Sequence, residues 1–258
     1  MRAAIVQSSY IPWKGYFSLI QLVDDFILYD DVQYTHRDWR NRNRIKTRQG
    51  PKWLSIPVAV KGRFTQRVRD AEISDPRWAR KHWNTICANY ARAPFFDEIA
   101  ARLEPLFEQC GRERGLSAIN SRLTRGLAAM LGITTRIHDS AGFELHGNRT
   151  ERLVHLCRQL GATDYLTGPR AADYLDERCF LEAGMRVCWM DYSGYPEYPQ
   201  LFSPPFIHEI SVIDLLMNQG CTGAEAYMAA FRDRVGERIF ASAQAESHAE
   251  GAANGSRI

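Results

Sequence analysis

A chain of 258 residues with 45% apolar and 24% charged residues has an ordinary globular composition, and it is long enough for one large domain with a sizeable core. Its net charge of +3 excludes nucleic-acid binding through bulk charge and leaves that role to a local basic patch. The cysteines (Cys87, Cys110, Cys157, Cys179, Cys188, Cys221) are scattered, without CxxC pairs or matched histidine spacing, so they read as reduced structural thiols rather than a disulfide frame or a zinc site.

AAIVQS (3–8) is a short apolar run that reads as a buried parallel strand. GYFSLIQLV (15–23) follows as a short helix, with Phe17, Leu19, Ile20 and Val23 facing a sheet, and DFILYDD (25–31) is a second buried strand. Strand, helix and strand within about thirty residues make a βαβ unit, and such sheets bind ligands at the carboxyl ends of their strands. That rule places Gln7, Ser8 and Tyr10 at one strand end and Asp30, Asp31 and Gln33 at the next, as the rim of a cleft. The connecting turn, YIPWKGY (10–16), adds Tyr10, Trp13, Lys14, Gly15 and Tyr16. Backbone N–H groups at the helix start suit a phosphate or carboxylate, with Gly15 allowing close approach and Lys14 adding charge. The competing reading is that Pro12 and Gly15 shape a turn while the rings pack in the core. Neither GxGxxG nor GxxxxGK[ST] occurs anywhere in the chain.

In DDVQYTHRDWRNRNRIK (30–46), an extended conformation puts Arg40, Arg42 and Arg44 on one face and Asn41 and Asn43 on the other. Arginines hold a diphosphate bidentately, and Trp39 offers a ring for a base or sugar; a solvated loop with surface ion pairs is the alternative. Residues 41–58 read as a hairpin around Gln49-Gly50-Pro51. The region 75–131 reads as a helical insert, opened by Asp75 as N-cap and Pro76, with further helices over 98–109 and 115–131. A strand over 134–138, a helix over 149–161 ended by Gly161, a strand over 164–168, a helix over 173–183 and a strand over 185–192 restore the α/β alternation. TGPRAADY (167–174), after an expected strand, is a further candidate anion-binding turn, with Gly168 as its single glycine. In the proline- and tyrosine-rich stretch 191–220, Tyr195, Tyr198 and Gln200 suit sugar or nucleotide contacts, or else pin a long loop. His208 is a general base or a structural histidine. Ser211 and Asp214 fit a capping box for a helix over 211–219 that Gly220 stops.

The tail 241–258 is small and polar and reads as disordered. No export signal and no apolar stretch of membrane-spanning length appear, so a cytoplasmic location is expected, and the NRT sequon at 148–150 carries no weight. The fold expected is α/β, an open, mainly parallel sheet with flanking helices and a largely helical insert, in one domain over 1–240.

The segments QSSYIPWKGYF, DDVQY, DWRNRNRIK and GATDYLTGPRAADYL, with the stretch from GYPEYPQ to SVIDLLMNQG, resemble the WbqC-like proteins in order over roughly residues 3–220. One departure is Ser8-Ser9, where the family pattern has a proline after the glutamine. The resemblance implies association with O-antigen and other surface-polysaccharide genes, and a glycine-transfer role onto an amino sugar. With the residues above, the expected function is transfer of a small acyl group, such as glycyl, to the amino group of a nucleotide-linked amino sugar. The arginine face holds the diphosphate, the aromatics hold sugar and base, and Asp30, Asp31 or His208 takes the proton from the attacking amine. The donor stays open. ATP with magnesium at Asp30–Asp31 is one route, although PWKGY lacks the histidines usual at adenylate-forming turns; an aminoacyl-tRNA or acyl thioester is the other. The rival reading is a non-enzymatic module that recognises a sugar nucleotide or an RNA beside polysaccharide enzymes. Neither a dedicated metal-ligand set nor an oligomeric state is legible.

Overall fold

The computed structural model describes the backbone of residues 1–255 and the side chains of residues 1–240 apart from Glu237. The disordered tail expected over 241–258 falls outside the residues described in full.

Alternation along four short strands sets the architecture. In β1 (Arg2–Val6), β2 (Asp25–Leu28), β6 (Asp164–Thr167) and β7 (Arg186–Trp189), odd and even positions serve two different cores. Ala3, Ile5, Ile27, Tyr165 and Val187 pack on one face against α5 (Arg149–Leu160) and α6 (Glu177–Glu182). Ala4, Phe26, Leu28, Leu166 and Cys188 join the larger core on the other face. A sheet covered on both sides needs apolar residues at both parities, which is why the runs look continuous in sequence. With β5 (Arg136–Asp139), these strands form one sheet, ordered β5-β2-β1-β6-β7 and parallel throughout.

The chain builds outward from β1 through α1 (Lys14–Gln21) to β2 and then β5, and returns to β6 and β7 on the other side. The strand order therefore reverses between β1 and β6, the position at which open α/β sheets leave a crevice at their carboxyl ends. Between β2 and β5 lie two additions. The hairpin of β3 (Arg42–Thr47) and β4 (Gly50–Ser55) pairs Thr47 with Gly50, whose φ of +104° suits the tight return. The helical insert comprises α2 (Trp78–Tyr90), α3 (Phe96–Cys110) and α4 (Leu116–Met130). Asp75 does not cap α2 directly: its carboxylate accepts the Arg77 N–H and pairs with Arg77 and Lys81 just ahead of it.

The last helix, α7 (Ile213–Gly255), is broken at Gly220, where φ is +67° and ψ 178°. A Cβ there would fall 2.6 Å from the Phe95 ring, so the break requires glycine. The sequence reading ends the helix at this glycine, but the chain turns and resumes helix. Ala224, Met228, Phe231 and Val235 then bury a stripe in the larger core. Among the described residues, no helix is long and apolar enough to cross a membrane.

Candidate functional site

The segment between β2 and β3 folds back over the carboxyl end of β1. The Tyr10 N–H donates to the Trp39 carbonyl (3.0 Å), and Asn43 Nδ2 donates to the Tyr10 carbonyl (3.1 Å). Gln7, just past β1, holds two groups: its Oε1 accepts Arg40 Nη1 (2.6 Å) and its carbonyl accepts the Tyr16 hydroxyl (3.1 Å). Across the switch point Gly168 follows β6, and a Cβ on it would stand 3.5 Å from the Tyr192 hydroxyl.

Arg40 stands in the turn before β3, outside the extended run expected for it, and from Arg42 onward the alternation is as the sequence suggests. Asn41, Asn43 and Ile45 are buried, whereas Arg42 and Arg44 are half-exposed. The Arg42 guanidinium lies 4.2 Å from the centroid of the Trp53 ring; that of Arg44 lies 5.4 Å from Trp53 and 5.9 Å from Trp39. The two indoles are themselves 5.4 Å apart, and both are partly exposed. The Nε atoms of Arg40, Arg42 and Arg44 are all buried without a hydrogen-bond partner. The Arg42 and Arg44 side chains stay partly exposed beside the two indoles, within reach of an anion.

A loop from the far end of the chain closes the side of this face. The Ser211 N–H donates to the Arg44 carbonyl and the Val212 N–H to the Pro12 carbonyl, both at 2.8 Å. Arg44 Nη2 reaches the Glu209 carbonyl (2.9 Å) and its Oε2 (3.1 Å). One residue earlier, the His208 carbonyl accepts the buried Lys14 Nζ (3.0 Å). Burial pulls the Lys14 ammonium down to about 8, against the opposing pull of Asp214. Burial and then the Lys14 charge lower His208 from its ordinary value, so the imidazole is neutral at pH 7. Trp13 packs on Tyr192 and Tyr195 with centroids 5.2 and 6.0 Å away. Its ring lies over Gly15, where a Cβ would fall 2.2 Å from it. Gly15 therefore makes room for Trp13 rather than for a ligand.

Gln7, Trp13, Lys14, Gly15, Tyr16, Trp39, Arg40, Arg42, Arg44, Gly168 and His208 thus stand on segments joined by direct contacts. Other expected site residues do not join them. Tyr10 is fully buried, with its hydroxyl 2.8 Å from His82 Nδ1 and its ring edge-on to Trp78; it belongs to the core. Asn41 is a staple, donating to the Ile56 carbonyl (2.8 Å). Asp30 and Asp31 do not line an open rim. Asp30 accepts the Ser8 N–H (2.9 Å) and the Ser117 hydroxyl; Asp31 accepts Arg69 (2.8 Å), Arg67 (3.3 Å) and the Ser140 hydroxyl (2.8 Å). With both oxygens of each carboxylate engaged, neither is a free base or a ready magnesium ligand. Gln33 donates to the Phe64 carbonyl and lines a different cleft of about 450 Å³ with Tyr34, Arg63 and Phe64.

Tyr198 and Gln200 are buried around Asp214, which accepts Tyr198 (2.7 Å), Gln200 (2.7 Å) and Tyr90 (2.8 Å). Burial raises the Asp214 carboxyl, and its side chain takes no part in the expected capping box. Lys46, which the sequence reading passes over, completes this network by donating to Gln200 Oε1 (2.6 Å) and the Pro205 carbonyl (2.7 Å). The signal was available. The i, i+2 rhythm of Arg42 and Arg44 continues to Lys46, where the strand dives beneath the tyrosine-rich loop.

A family model described as the WbqC-like protein family matches residues 7–226. An uncharacterized protein of Mycobacterium tuberculosis is 50% identical over 225 residues, covering 87% of this chain and 95% of that protein. No solved structure matches the chain.

Proposed function

The chain belongs to the WbqC-like protein family, and from that premise we propose that it transfers a small acyl group, such as glycyl, to the amino group of a nucleotide-linked amino sugar. The observation that carries this reading is the row of half-exposed Arg42 and Arg44 guanidiniums beside the partly exposed indoles of Trp39 and Trp53. A diphosphate laid along that row meets planar cationic forks, and the neighbouring indoles of Trp39 and Trp53 suit stacking of a base. Arg44 already pairs with Glu209, but that carboxylate is 78% exposed, so the pair is weak and an incoming phosphate displaces it at little cost.

The sugar end then points along the loop toward His208 and the Trp13–Tyr192 aromatic wall. The sugar amine attacks the acyl carbonyl. The new C–N bond forms as the acyl–oxygen or acyl–sulfur bond of a preactivated donor breaks, and the leaving group departs with the electron pair. His208, neutral because burial and Lys14 lower its pKa, takes the amine proton. Lys14 is a positioning residue that holds the His208 main chain. Aminoacyl-tRNA and an acyl thioester are the donor classes that fit. The ATP–magnesium route loses its ligand pair, because Asp30 and Asp31 are already engaged.

The test is calorimetric titration with nucleotide-linked amino sugars, followed by mass-spectrometric detection of amide after adding glycyl-tRNA or a glycyl thioester. Binding with amide formation that His208→Ala abolishes supports the reading. Binding without product in the parent would favour the non-enzymatic sugar-nucleotide module, and absence of binding would remove both.

A further inference from the structure

The loop between β5 and α5 carries a cluster of side chains that the arginine face does not use. Glu144 and His146 stand on the loop, and His155 faces them from α5. We propose that Glu144, His146 and His155 form a binding site for a first-row transition-metal dication, best suited to Zn²⁺, with a coordination position left open to the adjoining cleft. This site stands independently of the transferase reading.

One donor atom from each of the three residues lies within 4.8 Å of the other two. Glu144 Oε2 and His146 Nε2 are 3.2 Å apart, close to the separation of two ligands each about 2.0–2.2 Å from one tetrahedral zinc. The rings of His146 and His155 meet edge to face with centroids 4.9 Å apart, so side-chain rotation alone brings in the third donor. His155 Nε2 is buried and has no hydrogen-bond partner, a costly state for a polar atom and one that a metal bond relieves.

The loop is fastened at both ends of the cluster. Gln159 grips the main chain of Glu144 twice, accepting its N–H (3.1 Å) and donating to its carbonyl (2.8 Å). At the other end Gly147, with φ +84°, leads into the capping box of Asn148 and Glu151. A Cβ on Gly147 would fall 2.6 Å from that of Glu151, so the close approach of loop and helix needs glycine here. The Glu151 carboxylate already accepts the Asn148 N–H (2.9 Å), which leaves Glu144 as the carboxylate donor. His146 is thereby held between two anchored points and opposite His155.

Two imidazoles and one carboxylate suit zinc and its neighbours, whereas calcium and magnesium call for oxygen donors alone. Three protein donors leave a fourth position for water or a ligand. A cleft of about 440 Å³ lies on that side, lined by His146 and His155 together with Glu151, Cys179 and Glu182. The spacing hides the site in the sequence, because the donors are split between a loop and a helix and match no compact motif.

The experiment uses the full chain without a histidine tag, stripped with chelator and titrated with Zn²⁺ by calorimetry and with Co²⁺ by visible absorption. The expected result is uptake of about one equivalent, with His146→Ala and His155→Ala each weakening affinity by more than about ten-fold. Circular dichroism checks that each variant is folded. Cys179→Ser should leave the Co²⁺ spectrum unchanged, without an intense thiolate charge-transfer band in the parent. The proposal is overturned if the parent takes up no metal. It is equally overturned if both histidine variants bind as the parent does, or if the Co²⁺ spectrum is that of a thiolate site.

Discussion

Replacing Arg42 by alanine isolates the arginine face from the fold. Among the described residues no hydrogen bond or ion pair ties the Arg42 guanidinium to the rest of the chain; it stacks 4.2 Å from the Trp53 ring centroid, and its Nε is buried without a partner. Losing a half-exposed cation–π contact costs about 0.5–1 kcal/mol. At about 2–4 °C per kcal/mol for a domain of this size, the melting temperature falls by no more than about 4 °C. Binding should suffer far more. A charge-assisted contact to phosphate contributes about 1.5–3 kcal/mol, so affinity for a nucleotide-diphosphate sugar falls about ten- to hundred-fold. Arg42→Lys recovers part of the loss, because an ammonium keeps the charge but not the planar fork. Calorimetric titration at low and at physiological salt reads both quantities, since the parent should weaken more steeply with salt than the alanine variant. If Arg42→Ala matches the parent in affinity and in salt dependence, the phosphate does not lie on this face.

Lys14 gives a signature at alkaline pH. Its folded value of about 8 lies below the 10.5 of a free lysine, so between these values the unfolded chain binds the extra proton and this residue's contribution to stability rises with pH. Urea midpoints of the parent and Lys14→Met should therefore diverge in the parent's favour from pH 8 to 9.5; parallel curves would place Lys14 in contact with water. His82, lowered by burial to about 4, gives the acid counterpart. Stability falls as pH drops from 6.5 toward 4, where the unfolded chain takes up the proton first, and His82→Gln should flatten that fall. Tyr10→Phe, which removes the hydroxyl facing His82 Nδ1, should cost about 1–3 kcal/mol of stability and leave nucleotide-sugar affinity unchanged. A change in affinity would return Tyr10 to the site. Asp214→Ala takes the acceptor from Tyr90, Tyr198 and Gln200 and the nearby opposite charge from the buried Lys46, and chemical denaturation should show a loss of at least about 3 kcal/mol. A loss below about 1 kcal/mol would mean that the network does not hold the tyrosine-rich loop.

What the sequence made legible, and what it hid, follows from the range of the interactions. The strand ends, the hairpin, Gly161 as the stop of α5 and the outward row of arginines are set by residues near one another in the chain, and periodicity carries them. Asp30 and Asp31 look like a catalytic pair beside a strand end, yet serines from three distant segments and two arginines from a loop close over them. Nothing local announces that. Tyr198, Gln200 and Asp214 likewise read as loop contacts and a helix cap. Their roles depend on Tyr90 and Lys46, more than a hundred residues away, and a one-dimensional pattern does not pair such groups. The helix after Gly220 was legible in its apolar spacing; the glycine, taken as a stop, marks a change of direction.

The position of β1 at the centre of the sheet has a consequence for the chain's birth. β1 pairs with β2 within its first thirty residues, but its other neighbour begins at Asp164, 162 positions after Arg2. At about 5–20 residues per second of synthesis, roughly 8–30 s separate the two strands at the ribosome. For that interval the apolar segment Ala3–Val6 offers a row of unsatisfied backbone groups along one side, the kind of edge that recruits strands from other chains. A transcript truncated before Asp164 would carry the open edge permanently, and a slow codon run within the helical insert would lengthen the exposure. The time at which β6 arrives thus sets how long the central strand stays open on one side.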